Sequence, residues 1–423
     1  MSTQTDDLWG HPDFRRFWTG QTLSFFGSEV TLLALPLTAV VTLDASGVEM
    51  GLLAAAGISP ALVAGLFAGA LVDRTRRRPI LIAADLGRAA VLGSVPVVYL
   101  LDWLSVWYLC LVAFLAGVLT TFFDIAHASL LPSIVRREQL VEGNSKLEIS
   151  RSGALILGPG LAGLIVYLLT APIAILIDSF SFVLSALALG RVRAVEARPE
   201  RFEPRRSLLA DVREGVGVIA RSPLLWTMGN SLGVYNLFAG MFSAVYLLFV
   251  TRELDVPPAA VGIIFGIGGL GFPVAALSAR RVADSIGVGP TIVWGACVSD
   301  AAFLLVPLAT GPVVMAVAML TFARLVATLG GPVTSINQIS LRQAITPDRL
   351  LGRVNGTMRF VSLGLAPLGA LVGGLLGDLI GPRPTLAVGA IGLQIGFVIL
   401  YLSPIRALQD VPGTMPDPEG ASA

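Results

Sequence analysis

The chain has 423 residues, of which 55% are hydrophobic and 13% are charged, and its formal net charge is +1. Soluble domains carry about 25% charged residues, so this composition excludes an ordinary soluble protein and indicates an integral membrane protein. The balanced charge gives no sign of a nucleic-acid partner, and two histidines are too few for a histidine-rich metal site. No phosphate-binding loop motif is present. We therefore predict no metal, no cofactor and no enzyme activity.

Twelve apolar stretches have the length of about 20 residues that crosses the hydrocarbon core of a bilayer. The first six cover approximately residues 17–42, 50–72, 79–101, 105–130, 150–169 and 171–190. The other six cover approximately 223–250, 258–282, 290–310, 312–335, 355–378 and 384–403. We number them predicted spans 1 to 12, and we expect spans 5 and 11 to begin earlier, on polar turns. The predicted fold class is an all-α membrane protein.

The longest polar interruption lies between predicted spans 6 and 7. It contains the stretch RVRAVEARPERFEPRRS, which is too charged and too often broken by proline to bury a core. We predict a surface linker at residues 191–221, with room for a short amphipathic helix. This linker separates an N-terminal six-helix bundle at 1–190 from a C-terminal bundle at 222–408. A disordered cytoplasmic tail is predicted at 409–423.

The distribution of positive charge predicts the orientation of the chain in the membrane. Lys146 is the only lysine, so arginine carries nearly all of this charge. Arginines fill the links that follow spans 2, 4, 8 and 10, whereas the alternate links are poor in arginine, with Arg252 and Arg383 as exceptions. Positive residues concentrate on the cytoplasmic side of membrane proteins. Both termini are therefore predicted to be cytoplasmic.

A weak internal repeat relates the two halves. Pro159 lies eight residues beyond Arg151 in the first half, and Pro367 lies eight residues beyond Arg359 in the second half. Small residues follow each proline. Internal repeats of this kind are typical of secondary transporters. We therefore predict two pseudo-symmetric six-helix bundles with a central cavity between them.

A motif in the link after predicted span 2 gives the first resemblance to a known family. The run from Gly69 to Arg78, GALVDRTRRR, resembles the signature of the major facilitator superfamily, although Thr75 and Arg76 replace the glycine usual between its basic groups. The resemblance implies a cytoplasmic gate, which latches the transporter when it faces outward. The alternative, that the arginines only set the orientation, leaves the acidic residue unexplained. The gate residues so implied are Gly69, Asp73, Arg74, Arg77 and Arg78.

Two further charged pairs lie close to the same predicted side. Asp85 and Arg88 are three residues apart near the start of span 3, and we predict that they form a structural pair beside the gate. Asp124 and His127 are also three residues apart, near the cytoplasmic end of span 4. We predict that they belong to the gate or form an interfacial hydrogen bond. A proton relay is the alternative, because histidine titrates near neutrality.

Span 5 carries a helix-bend motif. Its residues Gly153, Gly158, Pro159 and Gly163 are similar to the Gly-Pro motif of drug:proton antiporters within the superfamily, with incomplete glycine spacing. Pro367 occupies the equivalent place in span 11. A proline removes a helix hydrogen bond and glycines allow close approach, so a bend with tight packing is expected. The alternative is that the glycines serve packing alone.

Other stretches narrow the resemblance to one branch of the superfamily. The runs FD and LPSIVRREQL of residues 123–140, and AP and DSFSF of residues 171–182, resemble bacterial exporters related to macrolide-efflux and enterobactin-export proteins. This resemblance implies an exporter in the bacterial cytoplasmic membrane, with a small molecule, protons and membrane lipid as partners and a monomeric state. It does not identify the substrate.

Three acidic residues inside predicted spans are candidates for proton coupling. Ionisable groups within a membrane are costly and are functional candidates for that reason. Glu29 in span 1 is the first candidate, since related exporters often carry an acid there. Asp178 in span 6 and Asp300 in span 9 follow. The alternative for each is a structural hydrogen bond between helices.

Candidate substrate contacts lie mainly in span 7. Aromatic and methionine side chains accommodate varied amphipathic molecules, although packing or lipid contact is the alternative for each residue. The predicted function is proton-driven export of a small amphipathic compound, with siderophore export, a non-coupled facilitator or a sensor as alternatives. Arg324 is the basic residue that an anionic siderophore would need. The candidates for the cavity are Phe25, Tyr235, Asn236, Met241 and Arg324.

Overall fold

The computed structural model of the chain describes residues 8–62, 64, 72, 75–128, 130–193 and 208–410. Every regular element within these ranges is helical. This result confirms the predicted all-α membrane class. The predicted tail beyond residue 410 and residues 194–207 of the predicted linker lie outside the described residues.

Six helices of ten or more residues come from the described part of the first half of the chain. They are α1 (Pro12–Leu37), α2 (Gly47–Ile58), α3 (Arg77–Leu100), α4 (Val106–Ala128), α5 (Leu140–Leu169) and α6 (Ala171–Gly190). A π-helical segment, Thr38–Thr42, extends α1. Helix α5 begins before its apolar stretch, on a turn that contains Glu142, as the sequence predicts.

Eight helices come from the second half. They are α7 (Leu208–Arg221), α8 (Pro223–Leu248), α9 (Pro258–Gly269), α10 (Gly271–Ile286), α11 (Val288–Phe303), α12 (Val313–Ile345), α13 (Asp348–Ile380) and α14 (Pro382–Tyr401). Helix α7 lies within the predicted linker, where the sequence allows a short amphipathic helix. Helices α8, α9 and α14 begin with proline, whose missing N–H is not needed in a first turn.

Eleven helical segments of the described chain are long and apolar enough to cross a membrane. Helices α9 and α10 together form one of them, Pro258–Ile286, with a break at Leu270. Predicted span 2 is represented by the apolar helix Gly47–Leu62, and its remainder lies almost wholly outside the described residues. The chain is therefore a multi-pass helical membrane protein.

The chain divides into two compact units. Unit 1 comprises Met1–Ala45, Ala56–Glu203 and Pro257–Gly266, and unit 2 comprises Ser46–Ala55, Pro204–Val256 and Ile267–Ala423. Each unit therefore includes a short helical segment from the other half of the sequence. The domain boundaries that the sequence predicts at residues 190 and 222 stay a prediction.

Unit 1 is organised around α6. Helix α6 packs against α1 and α3, α1 also packs against α5, and α3 packs against α4. Phe14 and Phe17 of α1 are fully buried in the core at one end of this unit, together with Leu81 of α3 and Phe123 of α4. Two helices, α1 and α3, thus pack against α6, and the polar residues of α6 are buried against them rather than facing lipid.

Unit 2 is organised around α8 and α13, which pack along each other. Helix α14 covers α8, and α11 packs on α12. Helix α2 begins beside α13, because the carboxylate of Asp378 accepts hydrogen bonds from the backbone N–H groups of Gly47 at 2.5 Å and Val48 at 2.9 Å. An acidic side chain at a helix N-terminus satisfies unpaired N–H groups and complements the helix dipole.

Glycines allow backbones to touch in both units. In unit 1, a Cβ placed on Gly163 of α5 would lie 2.7 Å from the Cα of Gly262 of α9. In unit 2, a Cβ on Gly51 of α2 would lie 3.1 Å from the Cα of Gly374 of α13. Real side chains do not fit at such distances. Close backbone contact between small residues is how membrane helices associate when lipid removes the hydrophobic driving force.

The contact between α5 and α9 predicts that substitutions at two neighbouring glycines have different effects on the stability of the protein. Gly163→Ala places a methyl group against the α9 backbone, and overpacking of this kind costs about 1–3 kcal/mol. Gly160→Ala is the matched control, because a Cβ on Gly160 has no neighbour within 4 Å among the described residues. We expect Gly163→Ala to lower the midpoint of thermal unfolding in detergent and Gly160→Ala to leave it unchanged or raised. Equal midpoints would contradict the contact.

Candidate functional site

A buried ion pair lies within α3 of unit 1. The guanidinium of Arg88 contacts the carboxylate of Asp85 at 2.5 Å, and the two side chains are 5% and 0% exposed. The spacing of three residues places both on one face of α3, which is the face that packs against α6. Charges excluded from water in this way are retained only when paired, so each residue depends on the other.

Two aromatic rings enclose the Arg88 guanidinium. The ring of Phe123 from α4 lies 4.2 Å from its central carbon, and the ring of Phe182 from α6 lies 4.0 Å away. The negative faces of aromatic rings attract a cation, more strongly when water is absent. Arg88 is therefore held from two sides, in addition to its bond with Asp85.

Asp178 of α6 brings a second carboxylate to this region. It is 1% exposed and lies within electrostatic range of Arg88. The hydroxyl of Ser181 donates to its Oδ1 at 3.1 Å, and the hydroxyl of Thr31 from α1 lies beside it. A Cβ on Gly27 of α1 would collide with this carboxylate, so glycine at residue 27 makes room for it.

A hydrogen bond between α6 and α1 extends the same set of polar groups. Ser185 of α6 lies beside Asp85 and accepts a hydrogen bond from the Gln21 amide of α1 at 3.4 Å. We call the whole set the buried polar cluster. Its members are Gln21, Thr31, Asp85, Arg88, Asp178, Ser181 and Ser185. The cluster contains two carboxyl groups and one guanidinium, so it carries an excess negative charge unless one carboxyl group holds a proton.

The sequence identified some residues of this cluster but did not predict that they lie together. The sequence predicts Asp178 as a coupling candidate and Asp85 and Arg88 as a structural pair beside the gate. The structure places all three in the interior of unit 1. Ser181 and Ser185 are buried, three and seven residues beyond Asp178. This polar stripe along an apolar helix is the signal that could have linked α6 to the charged pair.

Glu29, the first coupling candidate, meets the helix-bend motif. A Cβ on Gly158 of α5 would lie 2.5 Å from the Cβ of Glu29 and 2.8 Å from its Cγ. Gly158 therefore provides the space that the Glu29 side chain occupies. The side chain is half-buried. Pro159 and Gly163 of the same motif contact the α9 backbone at Gly262, whereas Gly153 has no described neighbour near its missing side chain.

The predicted gate is only partly described. Gly69, Asp73 and Arg74 lie outside the described residues. Arg77 begins α3, and Arg78 donates hydrogen bonds to the backbone carbonyls of Leu189, at 2.9 Å, and Gly190 at the end of α6.

The second predicted pair of the gate also has a defined place. The ring of His127 stacks between Phe17 at 5.2 Å and Phe123 at 5.8 Å. Arg151 and Arg88 act on it electrostatically. Asp124 is exposed and interacts with Arg88 at long range. The gate assignment of both residues stays a prediction.

Unit 2 brings together three of the predicted residues. Asp300 of α11 is 3% exposed, and Asp300 and Arg324 of α12 both act electrostatically on Tyr235 of α8. The stem of Arg324 lies over Gly268 of α9, where a Cβ would come within 2.7 Å of it. The amide of Gln394 donates to the Asp300 backbone carbonyl at 2.8 Å. An acid and a guanidinium from two other helices therefore lie within electrostatic range of the Tyr235 phenol.

The remaining candidates have mainly packing positions. Met241 is 4% exposed, and its backbone lies against Gly373 of α13. The Asn236 amide bonds to the Leu232 carbonyl of its own helix at 2.8 Å. Phe25 is half-buried, and Pro367 lies inside the continuous helix α13. Within the described ranges, no group of three or more histidine, cysteine or acidic residues could hold a metal ion.

Comparisons with known proteins place the chain in a family. Residues 17–370 match the Major Facilitator Superfamily. The chain is 30% identical over 396 residues to the multidrug efflux pump Tap of Mycolicibacterium fortuitum, covering 90% of this chain and 93% of that protein. It is 25% identical over 244 residues to macrolide efflux protein A of Streptococcus pyogenes, covering 57% and 59%.

Solved structures show the same fold at low identity. The nucleoside transporter NupG has a TM-score of 0.72 at 12% identity, and covers 92% of this chain and 99% of its own. A bacterial homologue of the iron transporter ferroportin has a TM-score of 0.73 at 15% identity, and covers 92% and 98%. The family match and the membrane-spanning helices together define a multi-pass membrane transporter. The chain belongs to the major facilitator superfamily, which confirms the family resemblance seen in its motifs.

Breaking the buried ion pair is predicted to lower the stability of the protein strongly. Arg88→Gln leaves Asp85 and Asp178 without their shared cation, and removal of one partner of a buried pair costs about 3–5 kcal/mol. Arg280→Gln is the matched control, because Arg280 pairs with Asp284 at 3.7 Å but is 93% exposed. We expect the first variant to unfold at a markedly lower temperature in detergent and the control to match the wild type.

A second substitution tests whether charge is the cause. Adding Asp85→Asn to Arg88→Gln removes one of the two uncompensated carboxylates, so the double variant should recover part of the lost stability. No difference between Arg88→Gln and the wild type would contradict the paired arrangement. No recovery in the double variant would show that Arg88 acts through packing against Phe123 and Phe182.

Proposed function

We propose that this protein is a proton-driven exporter of small amphipathic compounds, which works by alternating access as a monomer in the bacterial cytoplasmic membrane. The observation that carries the proposal is the excess of buried acid in unit 1, within a chain aligned along most of its length with a multidrug efflux pump. The proposed orientation has both termini in the cytoplasm, and it is supported by the arginine-rich links of the sequence.

The charge of the buried polar cluster supports proton coupling. Two carboxylates beside one guanidinium leave a net negative charge away from water, which is costly in a membrane interior. A proton on one carboxyl group removes this cost. Exposure of the cluster to water in one conformation, or arrival of a cationic substrate, would release the proton. We assign the exchangeable proton to Asp178, because Asp85 holds the direct bond to Arg88.

Glu29 is the second acid that we propose for coupling. It lies on α1 against Gly158 of α5, while Thr31 of the same helix faces Asp178. Movement of α1 against α5 and α6 would therefore change the surroundings of both acids together. Asp300 of unit 2 is the third candidate, and its interaction with Tyr235 would connect a proton there to the substrate region.

The substrate class follows from the relatives and from the lining candidates. A multidrug efflux pump and a macrolide efflux protein are among the similar proteins. The predicted contacts Phe25 and Tyr235 are aromatic, which suits large compounds with apolar surfaces. Arg324, which acts electrostatically on Tyr235, favours a second candidate function, the export of an anionic compound such as a siderophore.

Transport measurements test the proposal directly. We expect cells that lack their own major efflux pumps to accumulate less of some antibiotics or dyes when they express the wild type, and an uncoupler should abolish this difference. Asp178→Asn should abolish export, because an amide keeps the shape of the side chain but cannot exchange the proton. Asp284→Asn, an exposed acid of α10, is the matched control and should export normally. Glu29→Gln is measured in parallel.

The possible outcomes separate the candidate functions. Export that survives both the uncoupler and Asp178→Asn, with equal expression confirmed, would contradict proton coupling and favour a facilitator. Export of siderophores but not of cationic or neutral drugs, lost in Arg324→Gln, would favour the second candidate. Normal export by Asp178→Asn together with loss in Glu29→Gln would move the exchangeable proton to Glu29.

A direct proton measurement gives an independent prediction. Addition of a transported drug to the purified, lightly buffered protein should release protons, because an antiporter binds substrate and proton in competition. A pH-sensitive dye measures this release. We expect it for the wild type and for Asp284→Asn, and no release for Asp178→Asn. Equal release by all three proteins would show that another group carries the proton.

A further inference from the structure

The threonines of α1 and of its π-helical extension differ in where their hydroxyl groups bond. Thr22 donates to the backbone carbonyl of the residue four positions earlier, at 2.8 Å, and Thr38 does the same at 2.8 Å. Thr31 lies between them in sequence, and its hydroxyl oxygen is buried. Within the described ranges, this oxygen has no hydrogen bond of normal length and angle. The hydroxyl of Thr31 is therefore not used by its own helix.

The neighbour of the Thr31 hydroxyl is the carboxyl group of Asp178 on α6. Gly27 and Thr31 are four residues apart, so they share one face of α1. A Cβ on Gly27 would lie 2.5 Å from Asp178 Oδ1, which shows that this face of α1 packs directly on the carboxyl group. The Thr31 hydroxyl lies within hydrogen-bonding range of the same group. Two residues of α1 thus define the place of the Asp178 side chain.

The hydrogen-bonding needs of Asp178 change with its protonation. An ionised carboxylate only accepts hydrogen bonds, whereas a protonated carboxyl group has an O–H that must donate. Asp178 is 1% exposed, so water is not at hand to accept from this O–H, and a buried donor without an acceptor is costly. The hydroxyl of Ser181 already donates, shared between the Asp178 carbonyl at 2.8 Å and Oδ1 at 3.1 Å. The Thr31 oxygen is the acceptor offered by the neighbouring helix.

We propose that Thr31 is a positioning residue for the exchangeable proton of Asp178, an inference that rests on the proposed function. A hydroxyl group both donates and accepts, and it rotates to suit its neighbour. Thr31 donates to Asp178 when the carboxylate is ionised, and it accepts from Asp178 when the carboxyl group is protonated. The proton stays on Asp178 in the second arrangement, and Thr31 neither gains nor loses one.

The rotation of this hydroxyl connects the protonation of Asp178 to the shape of α1. When Thr31 accepts from Asp178, its own hydrogen turns to the carbonyl of Gly27, four residues earlier. Thr22 and Thr38 bond to their own helix in this way. Such bonds from a threonine to the preceding turn bend helices slightly. Protonation of an acid on α6 would therefore be followed by a change in α1.

The charged groups around Asp178 act on it in a different way. Arg88 and Asp85 of α3 act electrostatically, through the charge of the carboxyl group. Glu29 of α1 lies against Gly158 of α5, and the ionisable residues of α5 belong to its first turns. Helix α6 carries no other ionisable residue, and the π-helical segment carries none. Thr31 acts on the O–H bond itself, so its effect can be measured separately from that of charge.

Infrared difference spectra of the purified full-length protein, recorded between low and high pH, test the proposal. A protonated carboxyl group gives a C=O stretching band, and the band of Asp178 is the one that is lost in Asp178→Asn. Thr31→Val keeps the shape of the side chain but removes the hydroxyl, and Thr31→Ser keeps the hydroxyl. Thr38→Val is the matched control, because Thr38 is fully buried and its hydroxyl bonds to its own helix.

We expect Thr31→Val to move the Asp178 band to higher wavenumber, because the C=O bond is stiffer when the carboxyl O–H has no acceptor. The same variant should lower pH-driven export about tenfold, through the loss of one hydrogen bond to a charged group. Thr31→Ser and Thr38→Val should leave both the band and export unchanged. If the valine variant is not recovered folded, Thr31→Ala, which also lacks the hydroxyl, gives the same comparison.

The outcomes separate this inference from the proposed function. An Asp178 band that keeps its position in the hydroxyl-free variant would overturn the role of Thr31 and leave Asp178 as the proton carrier. A spectrum of Asp178→Asn that has lost no band would overturn both, because Asp178 would then hold no proton. An equal shift of the band in Thr38→Val would also overturn the role of Thr31, since any change in this helix would then have the same effect.

Discussion

Inside a bilayer, a helix gains little by turning apolar side chains towards another helix, because the lipid tails are equally apolar. Association then depends on close contact between backbones and on polar groups that have no other partner. Both features organise this protein. Gly163 meets Gly262 in unit 1, and Gly51 meets Gly374 in unit 2. The helices can be this long and this apolar only because a few small residues allow them to approach each other closely.

The same exclusion of water explains the polar interior of unit 1. Arg88 is surrounded by an acid within its own helix, an acid from α6 and two aromatic rings. Each partner reduces the cost of a buried guanidinium, but the second acid leaves an excess negative charge unless one carboxyl group holds a proton. In a soluble protein, water would absorb such an imbalance. In the function that we propose, this imbalance links the protonation of an acid to the position of a helix.

The sequence predicted well what depends on local composition. Most of the membrane-spanning helices follow from apolar stretches, since eleven segments of the described chain are long and apolar enough to cross a membrane where the sequence predicts twelve spans. The early start of α5 follows from its polar first turns. The cluster could be predicted only in part, because Asp85 and Asp178 are 93 residues apart in the chain and no local pattern shows that α3 packs on α6. The contact of Glu29 with Gly158 could not be predicted either, because the sequence singles out each residue for a separate reason. Gly69, Asp73 and Arg74 stay predictions from the motif.

The composition of the two units has a consequence for how the chain can be divided. The opening turns of α2 belong to unit 2, and the first turns of α9 belong to unit 1. Neither half of the gene therefore encodes a complete unit. Separate synthesis of the two halves would leave Asp378 without the helix start that it caps, and Gly163 without Gly262. Neither half could complete its packing by itself. The protein therefore folds as one chain rather than by docking of two folded halves.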